Sequence, residues 1–150
     1  MVALNEELDF VTSYLEIQKM RMPRLHYTLD IQEGMEQLHI PPLVLQPLVE
    51  NAVIHGLEAW SDASRIHITG VLNESGASLI VEDDGRGMNV ERRQLMQHNL
   101  QDHMDEAMGC GLWNVHQRLQ LRFRGTAGVS FASSPLGGLK VTISWQPVSG

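Results

Sequence analysis

The sequence predicts an α+β domain built in layers, and three observations carry that expectation. Apolar residues recur at helical spacing near the start of the chain. Strand-type runs come in pairs joined by turn residues. Helices and strands do not alternate as a βαβ repeat would require. At 150 residues the chain suits one domain, with a core that needs neither a metal nor a disulfide.

Leu4, Leu8, Val11 and Leu15 mark the first helix, and Phe10, Tyr14 and Ile17 widen its apolar stripe. Asn5 is the expected cap, Glu6 and Glu7 suit the positive end of the dipole, and Pro23 stops the helix. Leu25 to Ile31 alternates as a strand, with Glu33-Gly34 as a turn. After Pro41-Pro42 an apolar helix runs to about Leu57. Its regular part starts near Gln46, because Pro47 is tolerated only in a first turn.

Ile66 to Leu72 and Ala77 to Asp83 form a hairpin through Asn73-Glu74-Ser75-Gly76. Leu112 to Phe123 has the length and pattern of a helix. Val129 to Ala132 pairs with Leu139 to Trp145 through Pro135 and Gly137-Gly138. The polar stretch of residues 88–108 is long for a connection inside a compact domain. It reads as a mobile lid hinged on glycines, with a short helix near Val90 to Met96; a plain surface excursion is the alternative.

Eleven Lys and Arg against 18 Asp and Glu leave a net charge of −7. With no basic run, the chain is a poor binder of nucleic acid or of an anionic membrane. A single cysteine, Cys110, excludes an internal disulfide, fits a reducing compartment and reads as a small filler. No run approaches the ~18 apolar residues of a membrane span. Glu6, Glu7 and Asp9 replace the basic start of a signal peptide. The chain opens almost at once inside a helix, which suggests a domain excised from a longer protein.

Three segments carry chemistry. On the second helix Asn51 borders the buried stripe, with Glu50 beside it and His55 one turn on. An asparagine carbonyl is a hard oxygen ligand suited to magnesium; taken alone, a hydrogen bond to a neighbouring loop explains it as well. In the strand ending at Asp83, Leu79, Val81 and Asp83 share one face, so a carboxylate emerges at the end of a buried row. A purine amino group is a suitable partner, and Gly85 and Gly87 let the backbone approach a flat ring; an Asp-Gly β-turn is the bland alternative. Gly109-Cys110-Gly111 precedes the helix expected from Leu112, where free amides and the dipole favour phosphates. Neither a Rossmann fingerprint nor a Walker loop is present.

These segments, in this order, resemble the GHKL ATP-binding fold of gyrase-type ATPases, mismatch-repair proteins, heat-shock chaperones and sensor histidine kinases. The similarity is greatest to the LytS-type sensor kinases. Ile40 to Ala52 followed by His55-Gly56 resembles their asparagine box, and Gly111-Leu112-Trp113-Asn114-Val115 with Gln117-Arg118-Leu119 their second glycine box. Leu4 to Arg21 is similar to the helix that precedes the domain.

The resemblance implies a two-layer α/β sandwich of the Bergerat type, a mixed sheet covered on one face by about three helices, with ATP beneath the lid. It implies residues 1–22 as a helix leading from an upstream dimerisation segment and 23–150 as the ATP-binding domain. It implies Mg2+ on Asn51, adenine on Asp83, and a nucleotide site completed by His55, Gly85, Gly87, Met88, Gly109, Gly111 and Leu112. Glu50 would help orient an incoming histidine. The γ-phosphate would go to a histidine in the upstream segment of a homodimer and from there to a response regulator. The chain would be the cytoplasmic domain of a membrane-attached bacterial sensor, touching the membrane only through its N-terminal part.

Hydrolases of this fold carry a carboxylate four residues before the magnesium asparagine; here that position is Pro47. Two further positions depart from the pattern. Ile54 stands where a phosphate-reaching lysine is frequent, and Leu139 where a hydroxyl usually assists the adenine aspartate. Weaker ATP binding is the expectation, with Arg92 or Arg93 as compensation. The alternatives are a non-catalytic ATP-sensing module and, less favoured, an ATP hydrolase.

Overall fold

A computed structural model describes residues 1–57, 64–85, 90–102, 110–123 and 127–147, without the side chains of residues 55–57, 64, 92, 96, 99–102 and 110. Among the described residues, β4 (Ser64–Asn73) and β5 (Gly76–Asp83) pair as an antiparallel hairpin, joined at the turn expected from Asn73 to Gly76. β5 in turn pairs with β7 (Leu139–Trp145), and β7 with β6 (Gly128–Ser133), both antiparallel. β2 (Leu25–Ile31) lies parallel to β4 at the other edge. The sheet is mixed, with strand order β2-β4-β5-β7-β6.

Its two faces differ as a one-sided sheet requires. Ala77, Leu79, Val81 and Asp83 of β5 are buried, as are Leu139, Val141, Ile143 and Trp145 of β7. Ser78, Ile80, Glu82, Lys140 and Thr142 fall on the less buried face. Onto the buried face pack α1 (Leu4–Arg21), α2 (Gln46–Asn51) and α4 (Cys110–Arg122), which contribute Leu4, Leu8, Val11, Leu15, Leu48, Val49, Leu112, Val115 and Leu119 to one core. α3 (Val90–Asp102) lies against β6 and α4.

The chain enters differently from the sequence expectation. Asn5 does not cap α1; Ala3 holds that position. A two-residue strand β1 (Val2–Ala3) pairs with β3 (His39–Ile40), and the Leu4 N–H donates to the Leu38 carbonyl at 2.8 Å. Tertiary pairing thus satisfies a helix-end donor that a local cap would otherwise take. The helix expected at Val90 to Met96 is longer, reaching Asp102. α2 begins at Gln46 with Pro47 in its first turn, as its ring requires, then widens into a π-helical segment from Ala52 to Leu57.

Candidate functional site

Asp83 ends the buried row of β5 at 4% exposure. A carboxylate in that position needs donors, because burial strips it of water. Its Oδ1 accepts the N–H of Gly85 at 2.9 Å and of Leu139 at 3.3 Å, and its backbone carbonyl accepts the N–H of Gly138 at 3.1 Å. The start of β7 therefore wraps the tip of β5. Only glycine fits at 138: a Cβ there would stand 2.1 Å from Oδ1 and 2.5 Å from the Asp83 carbonyl oxygen. Leu139 serves the carboxylate through its amide while its side chain joins the core.

Asn51 is the last residue of α2, 9% exposed, where the helix passes into the π segment. Such wide turns are rare and are frequent at functional sites. This one packs against β5, bringing the asparagine helix to the Asp83 strand. Glu50 faces solvent, and its Oε1 accepts the Gln46 side-chain amide at 3.2 Å. It also lies near α1: burial, and next the Glu50 charge, push the Tyr14 hydroxyl above its ordinary pKa. Ile54 is exposed.

Gly111 lies in the first turn of α4, which begins at Cys110, two residues before the start expected at Leu112. A Cβ on Gly111 would be 3.4 Å from Pro47 Cβ, so the opening of α4 rests on the first turn of α2. Leu112 is buried behind it. The structure thus brings α2 to α4 through Pro47 and Gly111, and Gly85 to Asp83. Gly87, Met88 and Gly109 lie outside the described residues, as do the side chains of His55, Arg92 and Cys110. Arg93 is half-buried on α3. Among the described residues no cluster of three or more His, Cys, Asp or Glu could hold a metal by itself.

Sequence reasoning missed four polar side chains around this frame. Glu7 is 4% exposed and accepts three backbone N–H groups ahead of α2. Arg118 of α4 donates to the Pro42 and Leu43 carbonyls of the same turn. Gln97 of α3 donates to the Val129 carbonyl at 2.7 Å and accepts the Phe131 N–H at 3.0 Å, binding α3 to edge strand β6. His116 of α4 is buried, its Nδ1 accepting the Val129 N–H at 2.9 Å, and burial lowers its pKa from 6.5. The signal for Glu7 was present: it falls between Leu4, Leu8 and Val11 on the apolar stripe, where a charge needs a partner.

A buried carboxylate at a strand tip, a crossing helix ending in asparagine and a glycine-opened helix against it define an ATP-binding domain with helices on one face of a mixed sheet. The chain belongs to the histidine kinase-, DNA gyrase B- and HSP90-like ATPase family, whose model matches residues 41–149. It is 32% identical over 145 residues to the sensor histidine kinase YesM of Bacillus subtilis, covering 96% of this chain and 24% of YesM. To the sensor protein LytS of the same organism it is 29% identical over 144 residues, covering 95% of this chain and 24% of LytS. The chain therefore spans about a quarter of the length of these relatives.

Among solved structures, the catalytic domain of the histidine kinase ThkA superposes with a TM-score of 0.74 at 13% identity, covering 99% of this chain and 96% of that domain. ThkA has also been crystallised with the response regulator protein TrrA; that kinase chain superposes with a TM-score of 0.71 at 13% identity, covering 98% of this chain and 41% of that chain. The fold is that of histidine kinase catalytic domains. No described helix is long and apolar enough to cross a membrane.

Proposed function

We propose that this chain is the catalytic domain of a two-component sensor histidine kinase, binding Mg-ATP and passing the γ-phosphate to a histidine in an upstream dimerisation segment. The observation that carries the reading is the Asp83 cradle: a buried strand-end carboxylate, oriented by the Gly85 and Leu139 amides, for the adenine amino group. The first-turn amides of α4, with Gly111 and Leu112, receive the phosphates, since the first N–H groups of a helix have no partners within it. Gly85, with His55, Gly87, Met88 and Gly109, would complete the nucleotide site.

Asn51 would hold magnesium through its side-chain oxygen. Among the described residues no cluster of three or more His, Cys, Asp or Glu could hold the ion by itself, so it would keep phosphate and water ligands, which suits magnesium. When bound, the ion neutralises charge on the transferring phosphoryl group. The remaining contribution of the chain is placement: Glu50 at the solvent face of α2 orients the incoming imidazole, which is nucleophilic without a strong base. The helix of residues 1–22 connects to the dimerisation segment, and 23–150 hold the nucleotide. A response regulator is the downstream partner, and the full-length protein is a homodimeric, membrane-attached sensor with this domain in the cytoplasm. That ThkA crystallises with a response regulator supports the partner class.

The deciding experiment mixes the chain with the dimerisation segment and γ-labelled Mg-ATP. Acid-labile label on a histidine of that segment, absent with Asn51→Ala, is the expected result; no transfer despite tight ATP binding would sink the kinase reading. A second reading, an ATP sensor without catalysis, draws on exposed Ile54 in place of a phosphate-reaching cation. A hydrolase is disfavoured because Pro47, packed on Gly111, offers no base to activate water.

A further inference from the structure

α2 has only six residues, so its direction is set by what grips its ends. The turn leading into it, residues 42–45, is held from two sides. From α1, Glu7 Oε2 accepts the Leu43 N–H at 3.0 Å, and Oε1 accepts those of Val44 at 3.0 Å and Leu45 at 3.2 Å. From α4, the Arg118 guanidinium donates to the carbonyls of Leu43, at 3.2 Å, and Pro42. The anion takes the amides and the cation takes the carbonyls.

This grip holds a conformation the turn would not keep alone. Leu43 has φ of 59°, the one positive value among described non-glycine residues, and its side chain is exposed. A left-handed leucine is unfavourable and persists only where surroundings over-determine it. Successive amides around such a residue form a concave anion nest. Here the anion is a side chain of the same protein. Immediately afterwards the Leu45 carbonyl accepts the Leu48 and Val49 amides, the first bonds of the helix that ends at Asn51.

We propose that Glu7 and Arg118 are positioning residues for the nucleotide site: by fixing the left-handed turn at Leu43 they set the direction of α2 and with it the placement of Asn51. The inference rests on the reading of Asn51 as the magnesium ligand. It predicts a selective defect, because the Asp83 cradle lies on β5 and β7 and does not use this turn.

The test compares Glu7→Gln with the wild-type chain. The glutamine keeps one acceptor oxygen but turns an amide donor toward the backbone N–H groups. Affinity for Mg-ATP is expected to fall roughly tenfold, the scale of one charge-assisted hydrogen bond, while adenosine affinity is unchanged. Adding Leu43→Gly, which makes the left-handed backbone free of steric cost, is expected to restore Mg-ATP affinity. Arg118→Lys, which cannot fork to two carbonyls, is expected to show the same selective loss. Unchanged Mg-ATP affinity in Glu7→Gln, parallel loss of adenosine, or no recovery on adding Leu43→Gly would each overturn the clamp. Should Asn51→Ala leave Mg-ATP affinity untouched, the magnesium reading itself fails. Should Asn51→Ala weaken it while Glu7→Gln does not, the clamp alone fails.

Discussion

Gly138 lies so close beneath Asp83 that a single added methyl would stand 2.1 Å from the carboxylate oxygen. Neither obstructing atom is the end of a flexible chain: one is the backbone carbonyl, the other a short carboxylate bonded to two amides. Gly138→Ala is therefore expected to lose ATP binding below detection and to cost about 2–4 kcal/mol of stability, the range of overpacked or broken buried polar sites. Thermal unfolding together with nucleotide titration checks both; unaltered binding in a folded variant would contradict the cradle.

Asp83→Asn separates the two duties of that carboxylate. An asparagine oxygen can still accept from Gly85 and Leu139, so the fold should lose no more than about 1 kcal/mol. The other oxygen becomes an amide NH2, which would face the amino group of an adenine held there as proposed, donor to donor. Affinity should drop at least about a hundredfold, of the order seen when a buried donor or acceptor is mismatched. Isothermal titration with ATP reads the difference.

His116 supplies a pH dependence with a defined sign. Its Nδ1 accepts the Val129 N–H and must be unprotonated to do so, and burial holds its pKa below 6.5. As pH falls through 6.5 the unfolded chain binds a proton that the folded chain refuses, so stability rises with pH across the window beneath 6.5. Gly128 makes room for that ring, since a Cβ there would stand 2.6 Å from His116 Cε1. Melting temperatures between pH 7.5 and 5.5 should decline less steeply in His116→Gln than in the wild-type chain. Identical slopes would remove His116 from the account.

Gln97 binds α3 to β6 by two hydrogen bonds through one planar amide. Gln97→Leu keeps the bulk and removes both, so about 1–2 kcal/mol of local stability should go. The Phe131 amide should then exchange with solvent roughly tenfold faster, as hydrogen-exchange mass spectrometry or NMR can follow.

The strands were legible because their side chains alternate: the row Leu79, Val81, Asp83 was readable as one face, and its burial follows directly. The Pro47 constraint likewise located the start of α2, because a proline ring has few places in a helix. What escaped reading depends on long-range partners. Glu7 sits among first-turn acids and looks like dipole decoration until the amides of residues 43–45 arrive from far along the chain. Asn5 was the natural local cap, yet pairing of β1 with β3 fixed the helix start elsewhere. The π segment after Asn51 has no periodicity of its own to betray it. Gly138 was legible as part of a turn and, through the resemblance, as the glycine opening the last strand, but its close contact with the Asp83 carboxylate has no local signal.

The two bonds that Gln97 makes to Val129 and Phe131 occupy outward-facing backbone groups on an edge of the sheet. Bare edges invite strands from other molecules, and proteins blunt them with charge, proline or cover. Here one amide does that task from a helix. Any movement that lifted α3 away would uncover a ready template for cross-chain pairing, so opening this domain widely carries a risk of clumping that a tight helix contact keeps in check.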